Sequence, residues 1–344
     1  MKITQIMLAK GFGGAERHFV DLSLALAELG YEVQAICHTK FAKQSELKAH
    51  PNISVQTVNV FAVWDPFARS AVRQLIAAFQ PAIIHTHLAR GAFIGGKAAK
   101  ALGIPAVVNL HNYIDLKYYH HISAFIAATE DQKKYLLTHH IAPNQVTVMP
   151  HFSMLPPVAV KPYPSGRPLT FVTLGRMVKK KGFDVLLQAF KHYLDAGKDG
   201  RLIVGGDGGE RGALKHLAAK LGIAEKVNFS GWVEDVASFL AQGDVFVLPS
   251  LDEPFGIVTL EAMASGKPII STRTQGPITV LGDNSAFFVE IGDVETLASA
   301  MLTARTKPDV AMKKAQVALE LYQSTYSKRA VVPKVEAIYQ RLAS

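Results

Sequence analysis

Two carboxylates, Glu253 and Glu261, bracket the segment Glu253-Pro254-Phe255-Gly256-Ile257-Val258-Thr259-Leu260-Glu261, with seven residues between them. The stretch 257–265 reads as a short helix closed by Gly266. A helix start leaves its first amides without intrahelical acceptors, and its dipole favours an anion there. The amides near Gly256 and Ile257 can therefore receive a diphosphate. A carboxylate only accepts hydrogen bonds, so Glu253 before the helix and Glu261 within it suit a hydroxyl-rich partner. As a bare pair the two acids read as surface groups on an ordinary strand–turn–helix. The whole segment favours the binding reading.

Two cations stand upstream. Arg176 follows Thr173-Leu174-Gly175, and Lys181 directly precedes Gly182 in a run of three lysines. A guanidinium and an ammonium beside a leaving phosphate offset the charge that develops as its bond breaks. Lys179 and Lys180 read as a solvated basic turn. Gly206, in Gly205-Gly206-Asp207-Gly208-Gly209, is a weak nucleotide signal alone, since glycine there serves a tight turn equally well. Gly13 and Gly14, in Gly11-Phe12-Gly13-Gly14-Ala15-Glu16, let a backbone approach a ligand closely or simply make a turn. His111 follows one apolar run, while His85 and His87 end another. A histidine at a strand end is often just a satisfied polar residue. His120-His121 and His139-His140 are adjacent pairs aimed to opposite sides and carry no assigned role. No Asp-x-Asp occurs, and the single cysteine, Cys37, excludes a disulfide scaffold and a cysteine zinc site. No metal and no cofactor are expected.

These groups need a frame. Short apolar runs alternate with helical spacing along the chain. Strands are predicted at 2–8, 32–38, 53–58, 82–86, 106–110, 124–127 and 146–149 in the first half. Others follow at 169–174, 202–205, 226–229, 245–248, 268–271 and 286–289. Between the first two, Phe19, Leu22, Leu26 and Leu29 keep helical spacing, and Gly30 ends that helix. Residues 150–168 hold six prolines and read as a linker. The expectation is an α/β chain of two Rossmann-like, doubly wound parallel-sheet domains, 1–155 and 156–326, facing a central cleft. The tail, 327–344, is predicted to be helical after Pro333.

The segment from Glu253 to Glu261, together with the strand–Gly175-Arg176–loop–Lys181-Gly182–helix element, resembles retaining glycosyltransferases of family 4, which have the GT-B architecture. The resemblance implies that Glu253 contacts a donor sugar and Glu261 the ribose. It implies that the 255–258 amides face the sugar and diphosphate, and that Arg176 and Lys181 bind that diphosphate. Gly206 and the Gly13-Gly14 loop lie near the donor in the family, Val233 matches a nucleobase contact, and His111 matches the histidine that faces the reacting centre. The tail helix is implied to return to the first domain, where the acceptor binds. The implied activity is metal-independent transfer, with retention, of a hexose or N-acetylhexosamine from a nucleotide-sugar. A UDP-sugar is favoured as donor. A glycan or lipid-linked molecule is the expected acceptor, in envelope polysaccharide or lipopolysaccharide synthesis. Two departures bear on sugar identity: Pro150-His151-Phe152-Ser153 replaces an Asn-Gly, and Thr274-Gln275-Gly276-Pro277-Ile278 lacks the usual glycine pair and glutamate. Two alternatives stay open, a sugar-nucleotide epimerase of the same architecture and a non-catalytic nucleotide-sugar sensor.

The composition of the 344 residues, 49% hydrophobic and 19% charged, is that of a globular chain. No run approaches the roughly 18 apolar residues of a spanning helix, so a cytoplasmic location is expected. The formal charge of +9 suits an anionic substrate, the inner face of a membrane, or a generally basic soluble surface. No basic run with interleaved aromatics marks a nucleic-acid groove. Trp64 and Phe67 near Arg69, and Tyr113, Tyr118 and Tyr119 near Lys117, read as core aromatics or as contacts to a lipid headgroup or glycan, with the core reading preferred.

Overall fold

The computed structural model describes every residue except Phe12, Ile114 and Ser344. Phe12 of the glycine loop and Ser344 of the tail thus lie outside the described residues. The chain forms two compact units, one of Met1–Met154 with Lys328–Ser344, the other of Leu155–Ser327.

The first unit is built on strands β1 (Lys2–Met7), β2 (Glu32–His38), β3 (Ile53–Val58), β4 (Ile83–His87), β5 (Ala106–Asn109), β6 (Ala124–Ala127) and β7 (Val146–Val148). All pair in parallel, in the order β3-β2-β1-β4-β5-β6-β7. Helices cover both faces, so central strands such as β1 and β5 are buried along almost their whole length. Buried residues fall into two clusters in this unit, one around Phe19, Ile3 and Tyr339, the other around Ile6, Val72 and Phe125.

The second unit repeats the plan with β8 (Leu169–Leu174), β9 (Gly200–Gly205), β10 (Val227–Gly231), β11 (Val245–Leu248), β12 (Ile269–Thr272) and β13 (Phe287–Val289). Their order is β10-β9-β8-β11-β12-β13, again all parallel. In each unit the order reverses once, between β1 and β4 and between β8 and β11. Ligands of open α/β sheets bind beyond the carboxyl ends of strands at such a reversal.

Most strands fall where hydrophobic alternation predicts, within one or two residues. β10 runs on to Gly231 through a register shift after Phe229. The tail needs a correction: its helix spans Lys328–Ala343 and contains Pro333, instead of starting after it. An interior proline loses one hydrogen bond and costs about 3 kcal/mol. Burial of Val331, Val332, Val335, Ile338 and Tyr339 outweighs that here, aided by ties from Lys328 to Glu28 and from Tyr31 to Glu336. No helix among the described residues is long and apolar enough to cross a membrane.

Candidate active site

In the second unit the loops after the strands are knitted to one another. Gly175 N donates to Gly205 O at 3.1 Å, Gly206 N to Gly231 O at 2.7 Å, and Met177 N to Asp207 O at 2.8 Å. The packing is so close that glycine is required. A Cβ on Gly206, whose φ is +111°, would lie 1.9 Å from Gly175 O. Gly182, at φ +63°, would place one 2.1 Å from Pro249 O. This second approach joins the lysine turn to the end of β11, where Lys180 O accepts from Leu251 N at 2.8 Å.

The charged groups meet at this junction. Lys181 runs over Gly175, its Cε 3.6 Å from where a Cβ would stand there. Its ammonium forms an ion pair with Glu253, and both side chains are largely buried. Arg176, next to Gly175, is exposed and makes no ion pair among the described residues. Gly256, at φ +83°, caps the helix Ile257–Ala264 without any side-chain cap. Thr259 N donates to Gly256 O at 2.8 Å, and the amides of Ile257 and Val258 are left without an intrahelical acceptor. Glu253 O is taken by Gly276 N at 2.9 Å, and a Cβ on Gly276 would come within 2.5 Å of Phe255 Cα. The divergent 274–278 loop thus packs directly on the loop that starts the helix. Glu261 is buried one turn into the helix, and Val233 is half-buried just beyond β10. Thr173, Ser250, Thr259 and Thr274 are also buried around this reversal, with hydroxyls that have no hydrogen-bond partner among the described residues. Such orphans are uncommon and mark places where a polar ligand or water completes the shell.

The first unit gathers histidines at its own reversal. His85 and His87 lie on β4 and His111 just beyond β5. His87 and His111 stack at 5.4 Å, and His111 stacks on His151 at 4.8 Å. His18, from the helix Gly14–Glu28, lies 4.5 Å from the His151 ring. Sequence reasoning missed His18 and His151, and it missed the partners that orient the cluster. His87 Nε2 donates to Gln5 Oε1 at 2.9 Å, which leaves His87 Nδ1 to accept from His111 Nε2 at 3.1 Å. His111 Nδ1 is then a lone-pair acceptor. On the other arm, Tyr339 donates to His85 Nδ1, His85 Nε2 to Asn109 Oδ1 at 2.7 Å, and Asn109 Nδ2 to His18 Nε2 at 3.0 Å. His18 Nδ1 carries the remaining proton and has no partner among the described residues. Burial lowers the basicity of all five rings, to about 4 for His85 and for His151, and mutual repulsion adds to it for His18, His87 and His111. The cluster is therefore neutral at physiological pH. No group of three or more His, Cys, Asp or Glu among the described residues is placed to hold a metal ion.

Gly14 begins the helix Gly14–Glu28 and Gly13 caps it in an extended conformation. A side chain on Gly13 would meet only Glu16 Oε2, at 3.4 Å, so the fold itself does not demand glycine there. Internal packing therefore does not account for Gly13.

Both halves match family models. Residues 12–152 match the model described as Glycosyltransferase Family 4, and 160–318 match Glycosyl transferases group 1. The chain belongs to glycosyltransferase family 4. This glycosyltransferase is 28% identical over 334 residues to the lipopolysaccharide core biosynthesis glycosyltransferase LpsD of Rhizobium meliloti, covering 96% of this chain and 95% of that one. It is also 28% identical to LpsE of the same organism, over 100% of this chain and 99% of the other. Among solved structures it resembles Anabaena HepE in complex with UDP and glucose, with a TM-score of 0.84, 19% identity, and coverage of 99% and 100%. The lipopolysaccharide outer core galactosyltransferase WaaB superposes with a TM-score of 0.75 at 18% identity, over 99% of this chain and 100% of that one. The fold of this glycosyltransferase is GT-B.

Proposed function

We propose that this glycosyltransferase moves a hexose or N-acetylhexosamine from a nucleotide-sugar, a UDP-sugar by preference, onto a glycan or lipid-linked acceptor of the cell envelope, with retention at the anomeric carbon. The observation that carries the reading is the junction at the β8/β11 reversal. There the Lys181 ammonium, paired to Glu253 and lying over Gly175, stands with Arg176 and the uncapped start of Ile257–Ala264. The names of LpsD, LpsE and WaaB support an envelope acceptor, and HepE with UDP or UDP-glucose supports a uridine donor.

The chemistry follows from the groups. The helix-start amides and the two cations bind the diphosphate and stabilise it as it leaves, so no metal ion is needed for that charge. Glu253 accepts from sugar hydroxyls and Glu261 from the ribose. His111 offers a fixed acceptor, Nδ1, to a sugar hydroxyl. The transition state is oxocarbenium-like, and the departing phosphate takes the acceptor's proton on the face it leaves. The protein works in the cytoplasm.

Incubation with UDP-, GDP- and ADP-sugars and an envelope oligosaccharide, followed by proton NMR of the new anomeric centre, tests this. An α-linked product from an α-linked donor, formed undiminished in chelator, is expected. Inversion would refute the mechanism, and epimerised donor without transfer would refute the reaction.

A further inference from the structure

Three large aromatics stand in water on the first unit. Phe61 is 80% exposed, Trp64 73% and Phe67 86%. They occupy the loop after β3 and the start of the helix Pro66–Phe79, where a core assignment for Trp64 and Phe67 is overturned. The loop is not slack. The buried Asp65 carboxylate accepts from the amides of Phe61 at 3.2 Å and of Phe67 and Ala68 at 3.0 Å. Asp65 N in turn donates to Ala62 O at 3.3 Å. The backbone thus holds the rings outward, although an exposed apolar patch normally marks a contact surface.

Pro66 of this loop also borders a groove of about 670 Å³. Arg69 and Arg73 of the same helix line it, with Lys97 and Lys100 of the helix Leu88–Leu102 and with His121. No carboxylate lines it. None of the four cations forms an ion pair among the described residues, and Lys97 lies instead over the Phe93 ring at 4.4 Å. Four uncompensated positive charges beside three presented aromatics match one partner chemistry best. Aromatic rings settle at the headgroup level of a bilayer, and nearby Lys and Arg are attracted to anionic lipid phosphates.

We propose that this surface docks on an anionic lipid bilayer. Phe61, Trp64 and Phe67 enter the headgroup–acyl boundary, and Arg69, Arg73, Lys97 and Lys100 bind lipid phosphates. Each cation contributes about fivefold to partition. The inference deepens the proposed function, because a docked enzyme stays beside lipid-linked acceptors. Its test reads binding without turnover, so failure of one does not imply failure of the other.

The chain has two tryptophans, so Trp232→Phe leaves Trp64 as the only reporter. Vesicles of about 3:1 phosphatidylcholine to phosphatidylglycerol should shift Trp64 emission to the blue and sediment the protein. Pure phosphatidylcholine should do neither. The pair Arg69→Gln and Arg73→Gln should lower partition roughly twenty-five-fold. With Trp232 retained, the triple change Phe61→Ser, Trp64→Ser and Phe67→Ser should lower it at least tenfold. All five positions are exposed, and the two variant sets check each other. Equal binding to neutral vesicles, native partition by both variant sets, or the same Trp64 shift from glycerol phosphate or a single-stranded oligonucleotide without vesicles would overturn the proposal.

Discussion

Lys181 and Glu253 form a largely buried ion pair at the end of β11, and their types were readable because the motif that holds them is local. Removing either leaves the other's charge stranded. Lys181→Ala, and separately Arg176→Ala, should lower turnover by roughly a hundredfold, as for a lost oxyanion donor; steady-state kinetics of both variants measure it, and near-native turnover by both would contradict the assignment. The histidines behave differently. His111 was visible at a strand end, but Tyr339, which donates to His85 from 254 positions away, left no local signal. A usable signal did exist: Gln5, His85 and His87 are large polar residues in strands of a parallel sheet, where both faces are covered and near-continuous apolar runs are the rule. His87 positions His111 through the bond from His111 Nε2. His87→Leu should therefore lower kcat at least tenfold and alter the ring-nitrogen NMR shifts of His111. His87→Asn, whose Oδ1 can replace Nδ1 as acceptor, should recover most of both. Equal loss in the two variants would reduce His87 to a packing role.

At the scale of elements, alternation of apolar runs and helical spacing located every strand, because parallel strands buried on both faces are short, apolar and bounded by turns. Helix ends were harder. The tail helix begins five residues before Pro333, since burial of distant partners decides that boundary and local propensity does not. The Phe61–Phe67 loop misled for a related reason. Apolar composition signals a core unless the backbone turns the residues away, and Asp65 does that here. Glycine placement carries its own prediction. Gly182→Ala combines a left-handed backbone with a 2.1 Å approach to Pro249 O, and should destabilise the fold by about 2–4 kcal/mol. Gly209→Ala, in the neighbouring loop with nothing within 4 Å, should change stability by under about 0.5 kcal/mol. Urea midpoints compare the two.

For the whole molecule, the repeated parallel-sheet plan was legible from the repeated rhythm, and the divergent loops at 150–153 and 274–278 were legible as departures. What they do was not. The first brings His151 and Phe152 against His18, and the second packs on Phe255. The five neutral histidines give the fold a pH dependence. Their folded basicity lies below that of the unfolded chain, so the unfolded state binds more protons as pH falls. Stability is complete above about pH 6.5 and is lost progressively toward pH 4. At about pH 5.5, His85 and His151 should each cost roughly 1.4 kcal/mol; urea unfolding across that range reads it, and a flat profile would contradict the buried neutral cluster. The central claim is that the second unit grips a nucleotide by its diphosphate. Calorimetry on whichever of UDP, GDP or ADP most raises Tm tests it, with the matching monophosphate, the nucleoside, and the Lys181→Ala protein alongside. Affinity should fall stepwise as phosphates are removed, and the variant should lose most of the diphosphate's advantage. Equal affinity for diphosphate and nucleoside, or native diphosphate affinity in Lys181→Ala, would contradict it.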